Sequence, residues 1–162
     1  MQPRAILNLI LLLSLANGAP IIAKKICGQR LSRPLDGGAI FLDRKPLLGP
    51  SKTVRGLLAS VLVTAAVAPF VGLDRETGVR VAVAAMAGDL FSSFVKRRLN
   101  LPSSSQMIGI DQIPESLLPL LACRSALSLQ SKEIAWIVGL FFVGELIVSR
   151  LLYRIHLRDE PY

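Results

Sequence analysis

Five apolar runs, each close to the length needed to cross a bilayer, divide this chain and leave little room for any soluble fold. They cover residues 5–23, 56–73, 79–95, 113–129 and 134–152 of the 162. A helix needs roughly 20 mainly apolar residues to span the hydrocarbon layer. The 52% hydrophobic content would suit a soluble domain nearly as well, so arrangement decides the class. The expected fold is all-α, a polytopic integral membrane protein of about five transmembrane helices with a polar cytoplasmic loop after the first. Residues 1–162 are expected to form a single membrane-embedded domain.

The first run contains Asn17, Gly18 and Pro20 and follows Arg4, a pattern also found in signal peptides. Because everything downstream is membrane-like, it reads as a retained helix. Asn, Gly and Pro are expected to break or end it, as is tolerated where backbone is buried in protein or lines a cavity. The fourth run is the weakest, interrupted by Pro114, Glu115, Pro119 and Arg124.

A net charge of +8 and a pI near 10.2 raise the question of nucleic acid. The basic residues, however, sit in the loops between runs. Residues 24–55 carry eight of the nineteen Lys and Arg against two acids. With five spans and the N-terminus outside, segments 24–55, 96–112 and the tail share one face and hold fourteen of the nineteen, as the positive-inside rule requires. The expected location is the cell membrane, with the active site facing the cytoplasm and no nucleic-acid partner. Cys27 and Cys123 match no metal spacing and read as small packing residues; His156 reads as an interfacial side chain.

Ionisable groups inside apolar runs are costly and mark candidate sites. Asp89, Ser92, Ser93, Lys96 and Arg97 share a helical face by their i, i+3, i+4 spacing. The next helix begins at Asp111, with Glu115 a turn deeper, so three carboxylates can meet at similar depth within a ring of cations. That chemistry suits Mg²⁺ held between protein and substrate phosphates. A plain salt bridge of Asp89 with Lys96 or Arg97 explains the stripe equally well. Glu145 is expected to pair with Arg124 or Arg150, and Arg98 to act as a topology anchor. In the first loop, Gly49 and Gly56 flank Lys52, Thr53 and Arg55, donors suited to phosphate. GxxxxGK[ST] is absent, so this is no Walker A loop, and a basic loop drawn to anionic lipid is the simpler alternative.

These residues resemble the CarS-like CDP-archaeol synthase family of membrane cytidylyltransferases. Four blocks carry the likeness: Ala16-Asn17-Gly18-Ala19-Pro20; Pro34-Leu35-Asp36-Gly37-Gly38; Leu47-Leu48-Gly49 with Lys52-Thr53-Val54-Arg55-Gly56; and Gly88-Asp89-Leu90 with Ser93, Lys96-Arg97-Arg98 and Asp111-Gln112. The resemblance implies transfer of a cytidylyl group from CTP to a lipid phosphate, with Mg²⁺, at a cytoplasmic site. It implies Asp89 and Asp111 as metal-binding carboxylates, with Lys52, Arg55, Lys96 and Arg97 holding phosphates. Asn17 and Asp36 would shape the nucleotide or glycerol-phosphate site, and Thr53 and Ser93 would join the substrate-binding set. The family pattern continues after Asp-Gln with an acidic-aromatic stretch, whereas this chain has Ile113-Pro114-Glu115-Ser116, which makes Glu115 the substitute third ligand and leaves the lipid open. Partners are then CTP, a lipid phosphate and the bilayer, with homo-oligomerisation left open.

A CDP-alcohol phosphotransferase would need DGxxAR, but Asp36-Gly37 is followed by Gly38-Ala39-Ile40-Phe41. A non-catalytic membrane subunit or scaffold is the other alternative. A transporter is disfavoured by the lack of internal repeats.

Overall fold

The computed structural model describes residues 3–156, which form five α-helices: α1 (Pro3–Cys27), α2 (Val54–Val67), α3 (Arg75–Arg98), α4 (Gln112–Ala122) and α5 (Ser131–Arg154). A 3-10 turn, Ala68–Val71, prolongs α2. Among the described residues there is no strand; the only pairings are isolated antiparallel bridges, Pro34 with Thr53 and Ile40 with Pro46.

Four stretches are long and apolar enough to cross a membrane: Arg4–Cys27, Val54–Val71, Arg75–Arg98 and Ser131–Arg154. Their outward faces expose Leu7, Leu62, Phe70, Val83, Phe91, Trp136 and Val143. For a soluble protein such a belt would be a liability, but lipid covers it at no cost. The core behind it is formed by Leu9, Leu12, Leu13, Val81, Leu120, Ile137 and Phe141, drawn from α1, α3, α4 and α5.

The short helix is α4. At 1.5 Å per residue its 11 residues rise about 16 Å, half the hydrocarbon thickness. Pro119 lies inside it, and turns from Cys123 to Leu129 carry the chain onward to α5. The fourth apolar run is therefore half helix and half turn.

Near the middle of α1 the expectation fails: the helix runs unbroken through Asn17, Gly18 and Pro20. Asn17 turns its amide onto the Leu13 carbonyl of its own helix, at 3.0 Å, so it adds a bond rather than competing with the ladder. The Pro20 ring packs where α1 and α2 cross; a Cβ on Gly56 would lie 3.2 Å from the Pro20 Cβ.

Small residues set the other helix contacts, as they do where lipid supplies no hydrophobic drive between helices. A Cβ on Gly78 would meet the Thr64 carbonyl at 2.9 Å, and one on Gly88 the Pro114 carbonyl at 2.4 Å. Gly78 thus seats α3 on α2, and Gly88 seats it on α4. Ser60, Thr64 and Ser116 are buried at these contacts.

Candidate active site

The C-terminal ends of α1, α3 and α5 meet the N-terminal ends of α2 and α4 around a cavity of about 750 Å³. It is lined by Asn17, Lys24, Lys52, Thr53, Arg55, Asp89, Lys96, Asp111, Glu115 and Glu145, among others. Four carboxylates and several cations thus face one space.

Two ion pairs organise it. Lys52 Nζ lies 2.6 Å from Asp89 Oδ1 and 2.7 Å from Oδ2, bridging both oxygens. Lys96 Nζ lies 2.7 Å from Asp111 Oδ1 and also donates to the Ser105 carbonyl at 2.8 Å. The alternative pairing along α3, Asp89 with Lys96 or Arg97, is not the one formed: Asp89 pairs with Lys52, and Lys96 with Asp111. Residues i, i+4 and i+8 on one helix lie one above another, and Asp89 instead takes a cation that the loop brings in from 37 residues upstream. Arg97 points away from it and donates to the Pro102 carbonyl at 2.7 Å. Burial pulls the Lys52 ammonium toward neutrality, but contact with Asp89, reinforced by Glu115 and Asp111, outweighs it and holds the pKa above the usual lysine value.

Glu115 comes from α4 and faces the same cavity beside Asp89. Gly88 makes this placement reachable by letting the two backbones touch one residue before Asp89. Asp111 caps nothing with its side chain; it accepts from the Met107 N–H at 2.8 Å and turns its other oxygen to Lys96.

Lys52 is presented by a strap, residues 28–53, whose geometry depends on Asp36. That carboxylate accepts from the N–H groups of Gly38, Leu48 and Gly49, at 3.0, 2.9 and 3.3 Å. Slight burial raises its pKa, but the three amide donors prevail and hold it below the usual carboxylate range. Asp36 does not line the cavity, so it shapes the site through the strap. The Lys52 carbonyl is bonded by Leu35 N–H at 2.8 Å. The outer end of the strap is clamped to α3 by Arg98, expected to be a simple topology anchor. Its guanidinium stacks 4.8 Å from the Phe41 ring and 4.7 Å from Phe94, and its Nε lies 3.1 Å from Asp43 Oδ2.

Of the other expected substrate contacts, Thr53 is the N-cap of α2, accepting from Gly56 N–H at 3.2 Å while lining the cavity. Arg55 lines it too, but its guanidinium is drawn to the carbonyls of Gly28 and Arg30, where it ties off the end of α1. Ser93 and Arg97 are buried outside the lining. Glu145, expected to pair with Arg124 or Arg150, lines the cavity together with Glu115. Arg124, at the opposite end of the bundle, reaches Ser131. Sequence reasoning missed Glu145 because either arginine sat within reach along the chain. The serines at 103–105 were missed as well, although a serine-rich loop between Arg98 and Asp111 was the available signal.

Mg²⁺ is usually held by one or two carboxylates, with water and substrate phosphates completing the shell. Asp89 and Glu115, facing one cavity, fit that demand. Among the described residues no three His, Cys, Asp or Glu stand together as a complete cage, because Asp111 is turned to Lys96.

The helices and the site together define a multi-pass membrane protein with a charged cavity at one end of its bundle. The CarS-like CDP-archaeol synthase model matches residues 4–162, and the chain belongs to that family. The CDP-archaeol synthase of Thermococcus kodakarensis is 38% identical over 109 residues, covering 60% of each chain. That of Hyperthermus butylicus is 36% identical over 104 residues, covering 60% of this chain and 59% of its own. The match thus spans about three fifths of each of those relatives, whereas with the Pyrobaculum islandicum protein it covers 91% of both at 28% identity. A solved structure described as an intramembrane enzyme for archaeal membrane lipid biosynthesis superposes with a TM-score of 0.75 at 27% identity, covering 88% of this chain and 90% of that one.

Proposed function

We propose that the chain transfers a cytidylyl group from CTP to a lipid phosphate of the archaeol-phosphate type, giving CDP-lipid and pyrophosphate. The observation that carries this reading is the pair of lysine–carboxylate bridges, Lys52–Asp89 and Lys96–Asp111, facing one cavity with Glu115. Such a site offers cations to phosphate and carboxylates to a divalent metal.

An oxygen of the lipid phosphate attacks the α-phosphorus of CTP, a new P–O–P linkage forms, and the bond to the β-phosphate breaks as pyrophosphate leaves. The nucleophile is already anionic, so no general base is required. Lys52 and Lys96 neutralise negative charge on the triphosphate, and Arg55 and Lys24 add positive potential at the rim. A divalent cation such as Mg²⁺, when bound, supplies further charge neutralisation at the phosphoryl oxygens; Asp89 and Glu115 would hold it, with Asp111 beside them. The lipid's chains can remain among apolar side chains, because Ile21, Phe141, Val148 and Leu152 of α1 and α5 form the cavity's apolar wall. The charge distribution, with thirteen of the eighteen Lys and Arg among the described residues in the segments on the site's side, supports a cytoplasmic active site.

The test is pyrophosphate release by purified protein in mixed micelles containing Mg²⁺, an NTP and a panel of ether- and ester-linked lipid phosphates. Release is expected only with CTP and a lipid phosphate together. No release with any pair, from protein shown to be folded, overturns the proposal in favour of a non-catalytic subunit.

A further inference from the structure

We infer that Lys52 is a displaceable internal counter-ion of Asp89, which makes a divalent cation and the nucleotide's phosphates bind as an interdependent pair. The inference rests on reading the cavity as a nucleotide site.

Its basis is that one ammonium occupies both oxygens of Asp89, at 2.6 and 2.7 Å. A cation that takes Asp89 must first move Lys52 off it. The released ammonium then stands partly buried beside a second positive charge, without the carboxylate that balanced it, and separating an ion pair that water screens only in part is unfavourable. An arriving phosphate alone faces the converse problem: it draws Lys52 away and strands Asp89 against Glu115. Both penalties vanish when metal and phosphate arrive together, with Asp89 passing to the metal and Lys52 to the phosphate.

Lys52 is built for such an exchange and Lys96 is not. The Lys52 backbone is held by Leu35, which leaves a flexible four-carbon stem to swing the ammonium across the cavity. Lys96 Nζ is tied to the Ser105 carbonyl as well as to Asp111, so it is the fixed member. Lys52 therefore acts as a positioning residue for the metal as well as a phosphate ligand.

The test titrates the purified full chain in detergent with Mn²⁺ by electron paramagnetic resonance, with and without a non-transferable CTP analogue bearing an α,β-methylene bridge. In the wild type, each ligand is expected to tighten the other by a factor within about 5–150. In Lys52→Gln, Mn²⁺ alone is expected to bind about tenfold tighter, and the coupling is expected to fall toward one. Lys52→Met, which retains the stem without a donor, should behave likewise, and Lys96→Gln should leave most of the coupling in place. Independent binding of Mn²⁺ and analogue to the wild type overturns the counter-ion role while the nucleotide reading survives. Unchanged Mn²⁺ affinity in both Lys52 variants, eluting as intact protein, overturns it equally. If the folded wild type binds no analogue at any Mn²⁺ concentration, both readings fall.

Discussion

At the scale of single residues, the site is a set of opposite charges that need one another. Asp89 is the centre of it, held by Lys52 from the strap and flanked across the cavity by Glu115 from α4. Asp89→Asn keeps the shape and still accepts from Lys52, but removes the charge on which the proposed metal–phosphate complex would depend. Turnover is expected to fall at least about 10²–10³-fold, the range for losing one preorganised electrostatic group, while the variant elutes from detergent as intact protein. Near-normal turnover would remove Asp89 from the metal site. The stripe from Asp89 to Arg97 was legible because helical spacing alone stacks those side chains. The meeting with Glu115 was legible too, from the start of the next helix, but the lysine partner of Asp89 was not. Lys52 reaches Asp89 only through the folded strap, whose course depends on Asp36 and on the Arg98 stack, long-range contacts that no local pattern encodes.

At the scale of elements, close helix packing places the carboxylates. Gly88 lets α3 touch the backbone of α4 at Pro114 and Glu115, which brings Glu115 to Asp89. In Gly88→Ala the new methyl would lie 2.4 Å from the Pro114 carbonyl oxygen and 2.7 Å from Glu115 N, atoms that cannot swing aside. The two helices must separate, at a cost of about 1–3 kcal/mol. A lowered unfolding temperature in detergent, together with loss of activity, is expected. Gly139→Ala on α5, where nothing lies within 4 Å, is expected to be neutral or mildly stabilising. A Gly88→Ala protein as stable as its parent would contradict this account of the contact. The apolar runs announced the helices well, since crossing a membrane requires length and composition that sequence displays directly. Helix ends were less legible. Proline in α1 proved compatible with a continuous helix, which runs through Pro20 to Cys27, while the prolines of the fourth run, followed by turns at 123–129, left only a short α4. Thr53 illustrates the same limit: a hydroxyl in a glycine-flanked loop reads as a phosphate donor, yet its local task is to cap α2.

At the scale of the molecule, charge and fold agree. The ends bearing Lys24, Lys52, Lys96 and Asp111 gather on one side, and the opposite end carries the balanced group around Asp74, Arg75, Glu76 and Arg80, in which Asp74 caps α3 and Glu76 pairs with Arg80. The bundle is thus a lipid-facing shell around a polar cavity at one end, which suits the proposed meeting of a soluble nucleotide with a membrane-held phosphate. This division was visible in the loops' composition before any helix was placed. The cavity's shape was not, because it depends on how five helix ends converge. The most direct test of the account is label transfer in mixed micelles with Mg²⁺, a lipid phosphate and CTP labelled with ³²P at either the α or the γ position. The account predicts that α-label passes into the lipid phase as CDP-lipid while γ-label is released as pyrophosphate. Retention of α-label in the aqueous phase, or transfer of γ-label to lipid, would contradict it.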